Sequence, residues 1–224
     1  TAVTGEDGTA IFEQNLPFGS YYIKELQAPD GFVSSDEIIE VTVSYQGQDV
    51  EVVRLKEIFK NQPTTVEFRK SDLTTGVELD GATLTVLDKD GNEIDKWTSV
   101  KGEPHIIKRL HVGETYTLRE EFAPYGYLKA EEVEFTITDT AEIQKVEMKD
   151  DVPIGRIIIN KKGEFLSEVS WNDMVAGAMD SIWGYVTGSL KDVTFEIYAR
   201  EDVKAADGES DDYYKKDELV ATIT

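Results

Sequence analysis

The sequence predicts an all-β chain of tandem β-sandwich domains with one short helix-like insert. Three observations carry the prediction. Short runs with apolar residues at alternate positions, rich in β-branched and aromatic side chains, recur along most of the 224 residues. Asp90-Gly91 stands between two such runs, the signature of a tight hairpin. The chain also repeats itself, and the repeat sets the domain boundaries.

Taken in order, "TAIFEQNL", "SYYIKEL", "EIIEVTVSY" and "DVEVVRL" alternate near period two and read as strands. "ATLTVLDKDGNEIDKW" reads as a hairpin, "EEVEFTITD" and "EIQKVEMKD" continue the pattern, and Leu219 to Ile223 gives a last strand. "SWNDMVAGAMDSIWGYVTG" departs from it. Met174, Ala178, Ile182 and Val186 follow helical spacing, with Trp171 and Val175 adjoining and Ser170 and Asn172 as candidate caps. Gly177 and Gly184 act against a helix. The segment is expected to be an amphipathic insert over a sandwich edge. Left uncovered, Trp171, Met174, Met179 and Trp183 would instead form an adhesive surface.

The repeat is most specific in "YYIKELQAPDGF" and "YTLREEFAPYGY", which share Y-x-[IL]-x-E-x-x-A-P-x-G-[FY]. Glu25 matches Glu120, Pro29 matches Pro124 and Gly31 matches Gly126. "TTVEFRKSD" matches "GRIIINKKG", so that Val66, Phe68 and Lys70 correspond to Ile157, Ile159 and Lys161. "LDGATLTVLD" matches "LKDVTFEIYA", and "VEMKDDVP" matches "EIFKNQP", setting Asp150 against Asn61. The full order occurs once, in residues 63–152. Residues 1–62 carry its later half and residues 153–224 its earlier half. The expected arrangement is therefore one complete domain and two half-domains, with 153–224 of one copy completed by 1–62 of the next. Those copies are either successive repeats of one polypeptide or separate chains joined head to tail.

A lysine on an early strand, a glutamate in the middle and an Asn or Asp on the last strand can together make an intramolecular amide. The amine attacks only when neutral. Burial lowers a lysine pKa and raises a carboxyl pKa. A protonated glutamate beside the acyl group polarises its carbonyl and shuttles protons. Fixed geometry does the rest, with loss of water from Asp or ammonia from Asn. Such a reaction runs once per domain and makes no turnover enzyme. The competing reading of each lysine is an ordinary ion pair or a solvent-facing side chain. Alternation from Val146 and Met148 selects Asp150 over Asp151, and alternation from Ile157 and Ile159 selects Lys161 over Lys162.

These motifs resemble the CnaB-type domain, the transthyretin-like sandwich also called SpaA-like, of surface adhesins and pilins of Gram-positive bacteria. The resemblance implies Lys–Asn or Lys–Asp isopeptide bonds assisted by the boxed glutamate. Carried over, the central domain would join Lys70 to Asp150 with Glu120 assisting. The composite domain would join Lys161 to Asn61 with Glu25 assisting. First and last strands would lie parallel and side by side, stringing domains into a rod. The implied function is a stalk or fibre segment at the cell surface or cell wall. The alternative is an adhesin module that grips a host protein or glycan.

Composition fits that frame. Asp+Glu number 45 against Lys+Arg 23, a net charge of −22, which excludes the basic face that nucleic acid or an anionic membrane would need. No apolar run is long enough to cross a membrane as a helix. Cysteine is absent, which suits either an intracellular chain or an exported one stabilised in another way. No cofactor or metal site is expected. Asp88, Asp90 and Asn92 read as a hairpin turn and not a calcium loop, "DGESDD" as a solvated loop, and His105 and His111 lack the companions of a metal site. Tyr21, Phe32, Tyr116 and Tyr127 are expected in core and rim packing.

Overall fold

The computed structural model describes residues 1–12, 14–171 and 181–224. Thirteen strands and no α-helix occur among the described residues. The central unit holds seven of the strands: β3 (Thr65–Asp72), β4 (Thr83–Leu87), β5 (Glu93–Thr98), β6 (His105–Lys108), β7 (Thr115–Phe122), β8 (Val133–Thr136) and β9 (Gln144–Asp150). They form two sheets, ordered β6-β3-β9 and β5-β4-β7-β8. Alternate residues of each sheet face a shared core of Val66, Phe68, Leu84, Val86, Leu118 and Met148, all essentially inaccessible to solvent. Phe68 sits at its centre, with the rings of Trp97 and Phe135 each 5.3 Å away.

The first and last strands of this unit run parallel and adjacent, with Val66 opposite Gln144 and Asp72 opposite Asp150. The β4–β5 hairpin turns where Asp90-Gly91 predicts. Gly91 has φ +82°, and the Asp88 carboxylate accepts bonds from the backbone of Asp90 and from both nitrogens of Asn92.

The flanking units are sparser. β1 (Gly19–Lys24) and β2 (Ile38–Val43) form a two-stranded antiparallel sheet. β10 (Lys162–Trp171) pairs with β11 (Ser181–Ser189), and β12 (Phe195–Tyr198) with β13 (Leu219–Ile223). Three expectations need correction. "TAIFEQNL" and "DVEVVRL" are not strands in their described parts, and the strand expected from Ile157 to Lys161 begins only at Lys162. An extended segment is held by its neighbours, and an isolated one has nothing to offset its ordering cost. The helix-like insert is also corrected: Ser181–Ser189 is a strand, antiparallel to Lys162–Trp171. Two glycines and the β-favouring Ile182, Trp183, Tyr185, Val186 and Thr187 outweigh the helical spacing. Met174, Val175, Ala178 and Met179 lie outside the described residues.

The two flanking units meet opposite ends of β3. At its start, Thr64 N donates to Gly31 O (3.1 Å), Val33 N to Gln62 O (2.8 Å), and the Arg109 guanidinium lies 5.0 Å from the centre of the Phe32 ring. Past its end, Thr75 Oγ1 donates to Asp207 Oδ2 (3.1 Å) and Lys101 pairs with Glu209 at 2.5 Å. Eight residues of strand separate these contacts by about 25 Å.

Candidate functional site: a buried lysine between two carboxyl groups

β3 alternates Val66, Phe68, Lys70 and Asp72 onto the core face, so its pattern turns from apolar to charged inside the sandwich. β9 does the same with Val146, Met148 and Asp150. Glu120 arrives from β7 on the facing sheet, in the register that sets it opposite Leu84. The three predicted groups therefore converge. Lys70 Nζ donates to Asp150 Oδ1 and lies 3.0 Å from Glu120 Oε1, and all three side chains are completely buried.

One ammonium faces two carboxyl groups in a place without water. Both carboxyls cannot be ionised there without leaving a buried charge unbalanced. Burial pushes the Asp150 carboxyl up to about 6, and the nearby Glu120 adds to this against the opposing pull of Lys70. Glu120 is held by Ala130 N, which donates to its Oε2 at 2.7 Å, leaving Oε1 aimed at the lysine. Asp150 Oδ2 has no hydrogen-bond partner among the described residues. An acid with one free oxygen, an amine in contact with its other oxygen and a fixed carboxyl beside both is the ground state that amide formation needs.

Asp72, two residues beyond Lys70, was not singled out from the sequence. It is buried and accepts bonds from Tyr127 Oη (2.8 Å) and from the backbone of Thr74 and Thr75 (2.7 Å each). Burial pushes its carboxyl up, but these hydrogen bonds together outweigh burial and hold it below the ordinary value. The alternation in "FRKSD" carried that signal.

The second predicted set is brought together only in part. Asn61 Nδ2 donates to both Glu25 oxygens, at 3.0 and 2.8 Å, and to Val33 O at 3.1 Å. Ser35 N donates to Glu25 Oε2 at 2.9 Å. Lys161 is exposed in a different segment, and no hydrogen bond or ion pair among the described residues links its side chain to Asn61 or Glu25. The remaining candidates make packing and hydrogen-bond contacts. His105 stacks on Trp97 at 4.0 Å and bonds Asp95 at 2.8 Å, Tyr116 lies in the core, and Tyr21 Oη donates to Pro17 O.

Residues 1–57 and 64–152 match the model of the SpaA family, described as a prealbumin-like fold domain, and the chain belongs to that family. Among curated proteins none matches. Among solved structures the chain is similar to the Bacillus anthracis TIE protein, with 22% identity, 84% of this chain and 39% of that one covered, and a TM-score of 0.43. It is also similar to a streptococcal ancillary pilin (28%, 62% and 43% covered, TM-score 0.34). A third is the shaft pilin spaA of Lactobacillus rhamnosus GG (18%, 70% and 71% covered, TM-score 0.38). The chain spans about two fifths of the length of the first two. The family match over residues 1–57 and 64–152 carries the assignment.

Proposed function

We propose that this chain is a stalk or shaft segment of an extracellular fibre on a Gram-positive cell surface, with its central sandwich locked by a self-formed amide between Lys70 and Asp150. The observation that carries the reading is the fully buried Lys70–Glu120–Asp150 cluster between the first and last strands. Lys70 passes a proton to the carboxyl pair and Nζ attacks Asp150 Cγ. Glu120 takes the second amine proton from the adduct and delivers it to the departing oxygen. The Nζ–Cγ bond forms, the Cγ–O bond breaks and one water leaves. The role is structural, since the product stays in place and the site cannot turn over.

Mechanics favour the same reading. Tension applied at the start of β3 and the end of β9 shears two parallel neighbours, and the amide joins those two strands directly. It also closes a loop of 80 residues. By the chain-entropy argument such a closure stabilises by about 4–5 kcal/mol. Intact-mass measurement tests the bond: the protein should weigh about 18 Da less than its sequence, the loss of one water. Glu120→Ala and Lys70→Met should restore the full mass and lower Tm by roughly 20 °C or more. An unmodified protein at full sequence mass would sink the proposal.

A further inference from the structure

We infer that Tyr127 and Asp72 are positioning residues for the Lys70–Asp150 bond, acting by pinning the strand ends from which the reacting groups project. The inference rests on the reading of a self-formed amide and adds two residues beyond the three that react.

Asp72 and Asp150 are the last residues of β3 and β9 and are partners across the parallel ladder. The end of a ladder opens most readily, so the acyl group lies where its strand is least held. The turn after β3 supplies a hold, because Leu73 N donates to Asp150 O at 2.8 Å. Asp72 shapes that turn. Its Oδ1 accepts from Thr74 N and Thr75 N at 2.7 Å each, its backbone N donates to Val77 O, and its backbone O accepts from Gly76 N. Its Oδ2 accepts from Tyr127 Oη at 2.8 Å.

Tyr127 belongs to the loop after β7, and that loop reaches every part of the reacting cluster. Tyr127 Oη holds the turn that ends the lysine strand. Leu128 N donates to Asp151 O at 2.8 Å, just past the acyl strand. Ala130 N donates to Glu120 Oε2 at 2.7 Å and aims the acid. The loop starts with a turn in which Gly126 has φ +90° and Tyr127 N donates to Pro124 O.

The first unit repeats two of these holds. Val33 N donates to Gln62 O (2.8 Å) at the position of the Leu128–Asp151 bond, and Ser35 N donates to Glu25 Oε2 (2.9 Å) at that of the Ala130–Glu120 bond. The third hold has no counterpart there. Phe32 stands at the Tyr127 position without a hydroxyl, and Gly163 at the Asp72 position without a carboxylate. The Phe32 ring lies beside the Arg109 guanidinium instead. The Tyr127–Asp72 bond is therefore an addition to a shared loop, made where amine, acid and acyl group meet.

Removing the hydroxyl leaves Asp72 Oδ2 without a partner in a residue only 4% exposed, and the turn must open to hydrate it. Leu73 N moves with the turn, and the hold on Asp150 O is lost. A misplacement of about 1 Å between reacting groups costs on the order of a hundredfold in rate.

Cell-free synthesis of the whole chain tests this, with samples quenched in acid denaturant at intervals and the fraction lighter by about 18 Da read by intact mass. Tyr127→Phe and Asp72→Ala should link at least about tenfold more slowly than the parent. Asp72→Asn should link nearly as fast as the parent, since its Oδ1 still accepts from the turn and its Nδ2 can donate to Tyr127 Oη. Each substitution is also made in Glu120→Ala protein, whose Tm reports the cost to the fold without the bond. Ile107→Val, on β6 opposite Val66, lowers that Tm through core packing alone and should link at the parent rate. Tyr127→Phe protein that links as fast as a linked parent overturns this inference alone, as do rates that simply follow Tm across the set. A parent protein that stays at full sequence mass overturns the bond itself.

Discussion

Lys70 and Asp150 lie on adjacent parallel strands as diagonal neighbours: Lys70 is opposite Met148, and Asp150 is opposite Asp72. Both point to the core face, and the diagonal offset lets a long side chain reach a short one. Asp151 is one residue further, exposed and on the other face. The acyl partner can therefore be identified by exchange. Asp150→Asn should still form the link but lose ammonia, shifting the mass deficit from about 18 to about 17 Da. Asp151→Ala should leave the deficit of the parent protein unchanged. A deficit that follows residue 151 would place the bond elsewhere.

The unlinked state should reveal the buried acid through its pH dependence. In Lys70→Met no amide forms, and Asp150 remains buried beside Glu120 without the cation that pulls its pKa down. Its folded pKa is already raised from 3.8 to about 6 by burial with Lys70 present. A raised folded pKa gives stability that is full below 3.8 and is lost as pH climbs through about 6 and beyond. Relative to the linked protein, the variant should lose about 2 kcal/mol or more between about pH 4.5 and pH 7.5. Denaturant melts of both proteins at the two pH values check this. The linked protein has no Asp150 carboxyl left to titrate, so a parallel dependence in both would count against the buried Asp150 acid as its cause.

The central cluster was legible because strand alternation assigns faces one residue at a time, and Lys70 and Asp150 each continue an apolar alternation. Asp72 obeys the same rule, but its match in the repeat is Gly163, so the repeat does not mark it. Ile157 to Lys161 carries the same alternation as β3 yet forms no strand, since a parallel strand exists only through its neighbours. Ile182 to Val186 erred in the other direction: their share of the helical spacing counted for less than the β-favouring side chains around Gly184 and Gly188. The contacts between units left no periodic trace. Nothing in the spacing of Gly31, Arg109, Thr75 or Asp207 announces that they meet.

Gly31 shows what those contacts demand. It has φ +80°, and a Cβ there would fall 2.5 Å from Arg109 O and 2.9 Å from Arg109 Cα, both backbone atoms. The matching Gly126 has φ +90°, but a Cβ would meet only the Ala206 methyl at 3.5 Å, an ordinary contact. Both alanine variants carry the left-handed backbone cost of about 1 kcal/mol. Only Gly31→Ala adds a clash that the strand end cannot relieve without moving Thr64 N off Gly31 O. Gly31→Ala should therefore release the first unit from the central sandwich, and Gly126→Ala should leave the junction beyond Asp72 in place. Hydrogen exchange at the Thr64 amide should accelerate at least tenfold in Gly31→Ala alone, with Tm of the central unit unchanged. Equal protection at Thr64 in both variants would show that the Gly31–Arg109 approach does not hold the two units together.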